Sequence, residues 1–199
     1  MAEELDDSAL DQLFRSARTS RGWTARPVSE QQLRQLYGLL RLGPTSANCC
    51  PARFVWVRSV EGKARLAARA LEGNRDRILA APVYVIIGYD LEFAEQMPKL
   101  LPGPAGLTFR DRFRADLTLA ETTAFRNGSL QGGYLIIAAR ALGLDCGPMS
   151  GFNNAAVDAE FFAGTRIKSN FICGIGYSSG ENLQQRAPRL EFEEAGRFA

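Results

Sequence analysis

Apolar residues recur along this 199-residue chain with helical spacing in some stretches and as short continuous runs in others. Helical spacing predicts helices over residues 7–19, 29–41, 61–71, 91–101, 117–142 and 157–162. Nearly unbroken apolar runs predict buried strands over residues 53–58, 83–89 and 168–177. Residues 102–113, rich in Gly, Pro and Arg, favour a loop, and the polar tail 184–199 contains an extended piece.

This order of elements indicates an α+β sandwich, in which helices flank a central mixed or mainly antiparallel sheet. No internal repeat and no linker-like stretch divides the chain, so we expect residues 1–199 to form one domain.

The helix over 29–41 has the clearest boundaries. Ser29 and Gln32 have the spacing of a capping box, and Gly43-Pro44 follows the last apolar residue. Helical geometry would turn four side chains inward: Leu33, Leu36, Tyr37 and Leu40.

The longest helix, 117–142, ends before Gly143 and contains a cluster of small residues: Gly128, Ser129, Gly132 and Gly133. Each glycine inside a helix costs about 1 kcal/mol relative to alanine, so a close approach of another backbone is expected there. That partner is either the sheet of the same subunit or the matching helix of a second subunit, and the sequence favours neither.

Composition restricts the chemistry. The chain has no histidine, which excludes Ser-His-Asp, Cys-His and HExxH mechanisms. A net charge of +2 gives no reason to expect a nucleic-acid partner, and no apolar run has the length of a membrane span. The acidic, polar start is unlike a signal peptide, so a cytoplasmic protein is expected. Four cysteines without metal-ligand spacing predict no metal site and no disulfide.

Three sets of residues could bind a polar ligand. They are the turn Gly43–Pro51, the turn Gly147–Phe152, and arginines and amides that include Arg18, Asn74, Arg77, Arg186 and Arg189. The glycines would let backbone N–H groups approach a flat ligand, and the planar guanidinium of arginine suits phosphate. Taken singly, each set is better explained as a turn or a solvated surface.

Taken together and in order, these segments resemble the nitroreductase superfamily of FMN enzymes over nearly the whole chain. The closest resemblance is to its RutE/HadB subfamily, which includes a malonic semialdehyde reductase of pyrimidine degradation. The motifs are ART (17–19) with Gly22-Trp23, GPTSANCCPAR (43–53), ETTAFRNGSLQ (121–131), RALGLDCGPMSGF (140–152), FFAGTRIKSN (161–170), GIGY (174–177) and PRLEFEEA (188–195).

The resemblance implies a homodimer with two FMN sites at the subunit interface and the long helix in that interface. Arg18 and Arg186, with Thr19 and Ser20, would bind the FMN phosphate. Asn74 and Arg77 would address the pyrimidine edge, and Pro148, Ser150 and Gly151 would lie against the ring, with the Ser150 N–H directed at flavin N5. The second subunit would contribute Pro44, Thr45, Ser46 and Asn48.

Two positions depart from the family pattern. Gly22 stands where many members have a basic residue, which leaves the register of Ser20 and Arg21 open. Gln184 stands where many have a lysine, so Arg189 is a candidate replacement.

A bound flavin agrees with the absence of histidine, because hydride transfer from NADPH or NADH is chemistry of the cofactor. No catalytic side chain is then required, and the Ser150 backbone and Arg77 would tune the ring. By resemblance, the small-molecule substrate is malonic semialdehyde, reduced to 3-hydroxypropanoate. Its carboxylate would need a cation, for which the candidates are Arg110, Arg112, Arg114 and Arg126. The alternatives are a broad nitro, quinone or enone reductase and a non-catalytic flavin-binding module.

Overall fold

The computed structural model describes residues 3–199, and at its centre lies a four-stranded sheet. The strands are β1 (Ala52–Val57), β2 (Val83–Asp90), β3 (Asp145–Met149) and β4 (Ile167–Gly176). Their spatial order is β1-β2-β4-β3, and every neighbouring pair is antiparallel. The predicted α+β class is therefore confirmed, with the antiparallel form of the sheet.

Helices surround this sheet. In chain order they are α1 (Asp7–Leu10) continuing as a π-helix (Asp11–Arg15), α2 (Glu30–Leu40), a 3₁₀ turn (Ser46–Asn48), α3 (Val60–Ala67), α4 (Glu72–Ala80), a 3₁₀ turn (Phe93–Gln96), α5 (Met97–Leu100), α6 (Pro104–Ala115), α7 (Leu117–Ala141), α8 (Asn154–Phe161) and α9 (Phe192–Ala195). Within residues 3–199, no helix combines the length and the hydropathy needed to cross a bilayer.

Both faces of the sheet are covered, which explains why β2 is apolar at nearly every position. Side chains alternate across a strand. Val83, Val85 and Ile87 accordingly pack with α2 and α7. Tyr84 and Ile86 point to the other face and pack with α3, α4 and α8.

The capping box at the start of α2 is confirmed: Gln32 N donates to Ser29 Oγ, and Ser29 N donates to Gln32 Oε1 at 3.0 Å. Leu33, Leu36 and Leu40 are buried as predicted. The prediction for Tyr37 was wrong, because its side chain is 45% exposed. It packs edge-on against Phe54 of β1, at the open edge of the sheet.

The predicted loop over 102–113 was also wrong, because α6 occupies most of it. Pro104 lies in the first turn of α6, where proline is well tolerated. Phe109 and Phe113, four residues apart, stack on one face, and Phe113 packs edge-on against Phe93. The aromatic pair therefore outweighs the glycines and prolines that suggested a loop.

Three further elements were missed. The extended piece expected in the tail was wrong, because α9 begins at Phe192, where Glu191 and Glu194 form a capping box. Strand β3 contains Gly147 and Pro148, which disfavour a strand but are tolerated at the edge position it occupies. Helix α4 follows α3 closely and contains Gly73, which interrupts its helical pattern. The first helix is shorter than predicted and ends at Arg15, with Phe14 half exposed.

The small residues of α7 lie on two different sides of the helix. A Cβ added at Gly128 would lie 3.0 Å from Tyr89 Cβ, and one at Gly132 would lie 2.5 Å from the Phe171 ring. These two glycines therefore allow α7 to pack tightly on its own sheet. A Cβ at Gly133 would meet no atom within 4 Å, so its side of the helix is open in one chain.

Candidate functional site

The segment that follows the first helix lies along the outer edge of β3. Ser20 N donates to the carbonyl oxygen of Cys146 at 2.8 Å, and Thr19 forms a parallel bridge with the same residue. The Ser20 side chain is buried and donates to Gly22 O at 2.8 Å, whereas Arg21 is exposed. The structure thus brings Arg18–Ser20 beside the Gly147–Gly151 segment, with Ser20 facing inward.

The position of Gly22 explains its departure from the usual basic residue. A Cβ there would lie 2.6 Å from Ser179 Oγ and 3.2 Å from Glu181 Cβ. The strand-to-tail connection therefore fills the space that a larger side chain would need.

Arg18 and Arg186 meet at the carbonyl-rich end of the first helix. Arg18 Nη1 donates to Arg15 O and to Ala17 O, both at 2.9 Å. Arg186 Nη2 donates to the carbonyl oxygens of Phe14, Arg15 and Ala17, at 2.6, 2.8 and 3.0 Å. These bonds satisfy carbonyls that a helix end leaves without partners, and they fix both guanidinium groups in place.

The positive charge of this pair is not neutralised within residues 3–199. The acids of the first helix, Asp7 and Asp11, form ion pairs with Arg15, at 2.6 and 3.5 Å. No carboxylate in the described part of the chain forms an ion pair with Arg18 or Arg186. Partial desolvation, followed by repulsion from Arg18, Arg189 and Arg140, lowers the pKa of Arg186. An anion is the complementary ligand for such a cluster.

Arg189 lies close enough to repel Arg186. A replacement for the lysine that the family pattern has at the position of Gln184 would need the same proximity. Its Nη1 donates to Ala187 O at 2.8 Å. Gln184 only approaches Asn182 O, at 3.5 Å, and adds no charge.

The loop after β3 is joined to α4. Asn74 Nδ2 donates to Gly151 O at 3.0 Å, and Leu71 N donates to the same oxygen at 2.9 Å. A Cβ at Gly151 would overlap Asn74 Nδ2, so this contact requires glycine. Arg77 lies one turn further along α4, on the same face as Asn74, and forms no ion pair within residues 3–199.

Residues Pro148 and Met149 end strand β3, paired with Cys173 and Ile172 of β4. Ser150 follows directly and is exposed. The hydroxyl of Tyr84 donates to Met149 Sδ at 3.9 Å beneath it, and burial raises the pKa of Tyr84.

The Pro44–Cys50 loop has a strained backbone. Ala47, Asn48 and Cys50 have φ values of 49°, 54° and 38°, in the left-handed region that side chains other than glycine seldom adopt. Such residues cost on the order of 1–3 kcal/mol each and cluster at functional sites. Among the hydrogen bonds that hold the loop, Cys50 N donates to Thr45 Oγ1 at 3.1 Å, Ser46 N to Asn127 Oδ1 at 2.8 Å, and Asn48 Nδ2 to Leu100 O at 2.7 Å.

Two residues that support this loop were not identified from the sequence. Asn127 binds Ser46, and Gln131 Oε1 accepts from Ala52 N at 2.9 Å. Both side chains are buried and four residues apart on α7. Polar residues repeated at that spacing on an otherwise apolar face were the available signal.

The predicted site residues therefore form two groups. In the first group, Thr19 and Ser20 pair with β3, Arg186 bonds the carbonyls that precede Arg18, and Asn74, one turn before Arg77, bonds the loop that follows Pro148. The second group, Pro44–Asn48, is anchored to α7 and α5. Within residues 3–199, no hydrogen bond joins the loop to the first group.

The four arginines considered for a substrate carboxylate fall into two pairs. Arg110 forms an ion pair with Asp111 at 2.8 Å, and Arg114 forms one with Glu95. Arg112 and Arg126 are exposed and form none within residues 3–199. The structure therefore leaves the latter two available to an anion.

Fold and geometry define an α+β protein in which Arg18 and Arg186 converge on the carbonyl end of the first helix. The nitroreductase family model matches residues 14–177. A relative from Caulobacter sp. strain K31, provisionally named NADH dehydrogenase/NAD(P)H nitroreductase, is 58% identical over 195 residues, 98% of both chains. HadB from Ralstonia pickettii, with the same provisional name, is 52% identical over 187 residues, 94% of this chain and 95% of its own.

The fold is shared with solved structures. A provisionally named nitroreductase from Exiguobacterium sibiricum, crystallised in complex with FMN, superposes with a TM-score of 0.84 at 20% identity and full coverage of both chains. The chain belongs to the nitroreductase family, as its motifs predicted.

Proposed function

We propose that this protein is a homodimeric FMN-dependent NAD(P)H reductase. The observation that carries the proposal is the Arg18–Arg186 pair, held on backbone carbonyls with no carboxylate partner within residues 3–199. Strand β3 connects the segment next to this pair, Thr19–Ser20, with the loop of the Asn74–Gly151 contact. A phosphate site beside a cradle of glycine and amide fits a phosphorylated, flat, hydrogen-bonding ligand such as FMN.

Each residue of the first group has a proposed part. Arg18 and Arg186 bind the phosphate, with Thr19 and Ser20 as hydrogen-bonding neighbours. Asn74 and Arg77 address the pyrimidine edge, where Arg77 contributes a positive charge. Pro148, Ser150 and Gly151 lie against the ring. When bound, FMN supplies hydride transfer between NAD(P)H and the substrate, and the protein supplies position and charge.

The proposed dimer completes the site. The loop Pro44–Asn48 is separate from the phosphate group in one chain, and its strained backbone is held in place by α7 and α5. In the proposal it reaches the flavin of the second subunit. The exposed face of α7 supports this arrangement, because it carries three large apolar side chains around the open Gly133: Phe125, Leu130 and Tyr134, exposed at 51%, 44% and 38%.

The C-terminal residues also favour a second subunit. Every residue from 181 to 195 is exposed. This stretch combines the apolar Leu190 and Phe192 with acidic residues, and it ends in the short helix α9. Strand β1 has an open edge beside a groove of about 830 Å³. That groove combines apolar and cationic residues: Leu42, Phe54, Trp56, Arg41, Arg53 and Lys99. An acidic segment of a second copy that exposes apolar side chains would complement it.

For the substrate we propose malonic semialdehyde, reduced to 3-hydroxypropanoate in pyrimidine degradation. The support is the motif resemblance, together with two arginines, Arg112 and Arg126, that have no ion pair within residues 3–199 and could meet a carboxylate. A broad-specificity nitro, quinone or enone reductase is the second candidate, favoured by the provisional nitroreductase names of the relatives. A flavin-binding module without turnover is the third.

Three measurements separate these functions. The purified protein should show the visible absorption of oxidised flavin, and a colourless protein that gains no flavin on reconstitution would contradict the proposal. Anaerobic mixing with NADPH or NADH should bleach that absorption, whereas a binding module would keep it. Comparing kcat/KM for malonic semialdehyde, nitroaromatics and quinones then assigns the substrate, and higher values for the latter two would remove the semialdehyde.

A further inference from the structure

The proposed phosphate site includes a guanidinium that the motifs did not indicate. Arg140 lies in the last turn of α7, and its Nη1 donates to the carbonyl oxygen of Leu13 at 2.8 Å. The next carbonyls along the chain, those of Phe14, Arg15 and Ala17, accept hydrogen bonds from Arg18 and Arg186. Three arginines from distant parts of the sequence therefore converge on one helix end.

A second contact fixes this arrangement. Gln12 Nε2 donates to the carbonyl oxygen of Arg140 at 2.6 Å, so the first helix and the end of α7 are joined in both directions. The helix dipole accounts for a cation in the last turn of α7. It does not explain why Arg140 bonds to Leu13, which lies in a different helix, the one that precedes Arg18.

The charge of Arg140 is not neutralised within residues 3–199. Arg140 lines a cavity of about 250 Å³ together with Ser16, Ala17 and one acid, Asp145. Asp145 accepts a hydrogen bond from Ser178 N at 2.8 Å and forms no ion pair with Arg140. Repulsion from Arg140 contributes to the lowered pKa of Arg186, so the two charges act on each other.

We propose that Arg140 is a positioning residue of the phosphate site. Its bond to Leu13 fixes the helix end that precedes Arg18 and receives Arg186, and its charge strengthens the field that holds a phosphate dianion. The inference rests on the proposed FMN function. A positive charge near a dianion matters only when the dianion is present, and this gives the test its readout.

The test compares FMN with riboflavin, which has the same ring and no phosphate. Dissociation constants are measured by flavin fluorescence for the wild type, Arg140→Gln, Arg140→Lys and the control Arg166→Gln, which removes an exposed arginine elsewhere. We expect Arg140→Gln to weaken FMN binding by about tenfold and riboflavin binding by less than about twofold, from the loss of one charge near a dianion. Arg140→Lys should recover part of the loss, and Arg166→Gln should behave as the wild type.

The possible failures are distinguishable. Equal weakening of FMN and riboflavin in Arg140→Gln would show a purely structural role and overturn the inference. Unchanged FMN binding in Arg140→Gln would overturn it as well. A wild-type protein that binds neither flavin would instead contradict the proposed function.

Discussion

The carbonyl oxygen of Gly151 accepts a 3.0 Å hydrogen bond from Asn74 Nδ2, and so joins the loop after β3 to α4. Gly151→Ala should break this contact, because the added methyl group would overlap Asn74 Nδ2. Losing this half-buried hydrogen bond typically costs about 0.5–1.5 kcal/mol. We expect FMN affinity to fall about two- to twelvefold if that cost appears in binding.

Gly73→Ala is the matched control for Gly151→Ala. Gly73 directly precedes Asn74 on α4, and a Cβ there meets nothing within 4 Å. This change should stabilise the helix by up to about 1 kcal/mol and leave flavin binding unchanged. Flavin titration and urea unfolding measure both effects, and equal flavin affinities for the two variants would refute the importance of the Asn74–Gly151 contact.

The Pro44–Cys50 loop depends on Asn127. Replacing Asn127 by Leu removes the acceptor for Ser46 N, and losing such a half-buried hydrogen bond costs about 0.5–1.5 kcal/mol. Because the three left-handed residues follow Ser46, we expect the loop to relax and FMN to bind more weakly. Thr118→Ala, at an exposed position of the same helix, should change neither stability nor binding. Unaltered flavin affinity in Asn127→Leu would show that the loop holds its form without this bond.

The contacts of Asn127 could not be predicted from the sequence, although much of the fold could. The motifs predicted the family, the order of elements predicted an α+β fold with a mixed or mainly antiparallel sheet, and the apolar patterns predicted α2, α7, β1, β2 and β4. They did not give β3 and α4, because Gly147, Pro148 and Gly73 disfavour regular structure locally and are tolerated only by tertiary position. The supporting contacts of Asn127 and Arg140 join residues 81 and 127 positions apart, so no local pattern could display their partners.

Stability should fall at alkaline pH because of Cys49. Burial raises the pKa of its thiol from 9.0 to about 11, so the folded state holds the proton more tightly than the unfolded chain. The stability that the protonated Cys49 thiol contributes to the folded state is complete below about pH 9 and is lost as pH rises through about 11. Burial raises the pKa of Tyr84 as well, with the same sign.

Urea unfolding between pH 8 and 11 tests this titration. Cys49→Ala will be less stable at every pH because it leaves a small cavity. Its free energy of unfolding should fall less steeply with pH than that of the wild type, by a difference of up to one bound proton. If the two proteins have identical pH slopes, the loss of stability at alkaline pH comes from other groups.

The open side of α7 should be a subunit contact. Gly133→Gln places a polar side chain among Phe125, Leu130 and Tyr134, where one chain leaves space. We expect the monomer to fold and the dimer dissociation constant to rise at least about tenfold, because an interface packs as densely as a protein interior. Ala159→Gln is the control, since Ala159 is exposed on α8 and belongs to neither proposed contact surface. Light scattering after size exclusion measures the mass, and dimers of equal strength for both variants would place the interface elsewhere.

The C-terminal residues should be needed for the same dimer. Deleting residues 190–199 keeps Arg186 and Arg189 but removes the segment 190–195 with its apolar and acidic side chains, which is exposed in one chain. We expect a monomer with an intact fold, since these residues bury almost nothing, and a loss of flavin if the site needs the loop of a second subunit. Glu191→Gln with Glu193→Gln should weaken the dimer less and make it less sensitive to salt, because the ionic part of the contact is removed and the apolar part remains. Arg197→Gln, a single charge change outside the segment, is the control for the general effect of charge. A full-strength dimer after the deletion would exclude the segment from the interface and leave α7 as the proposed contact.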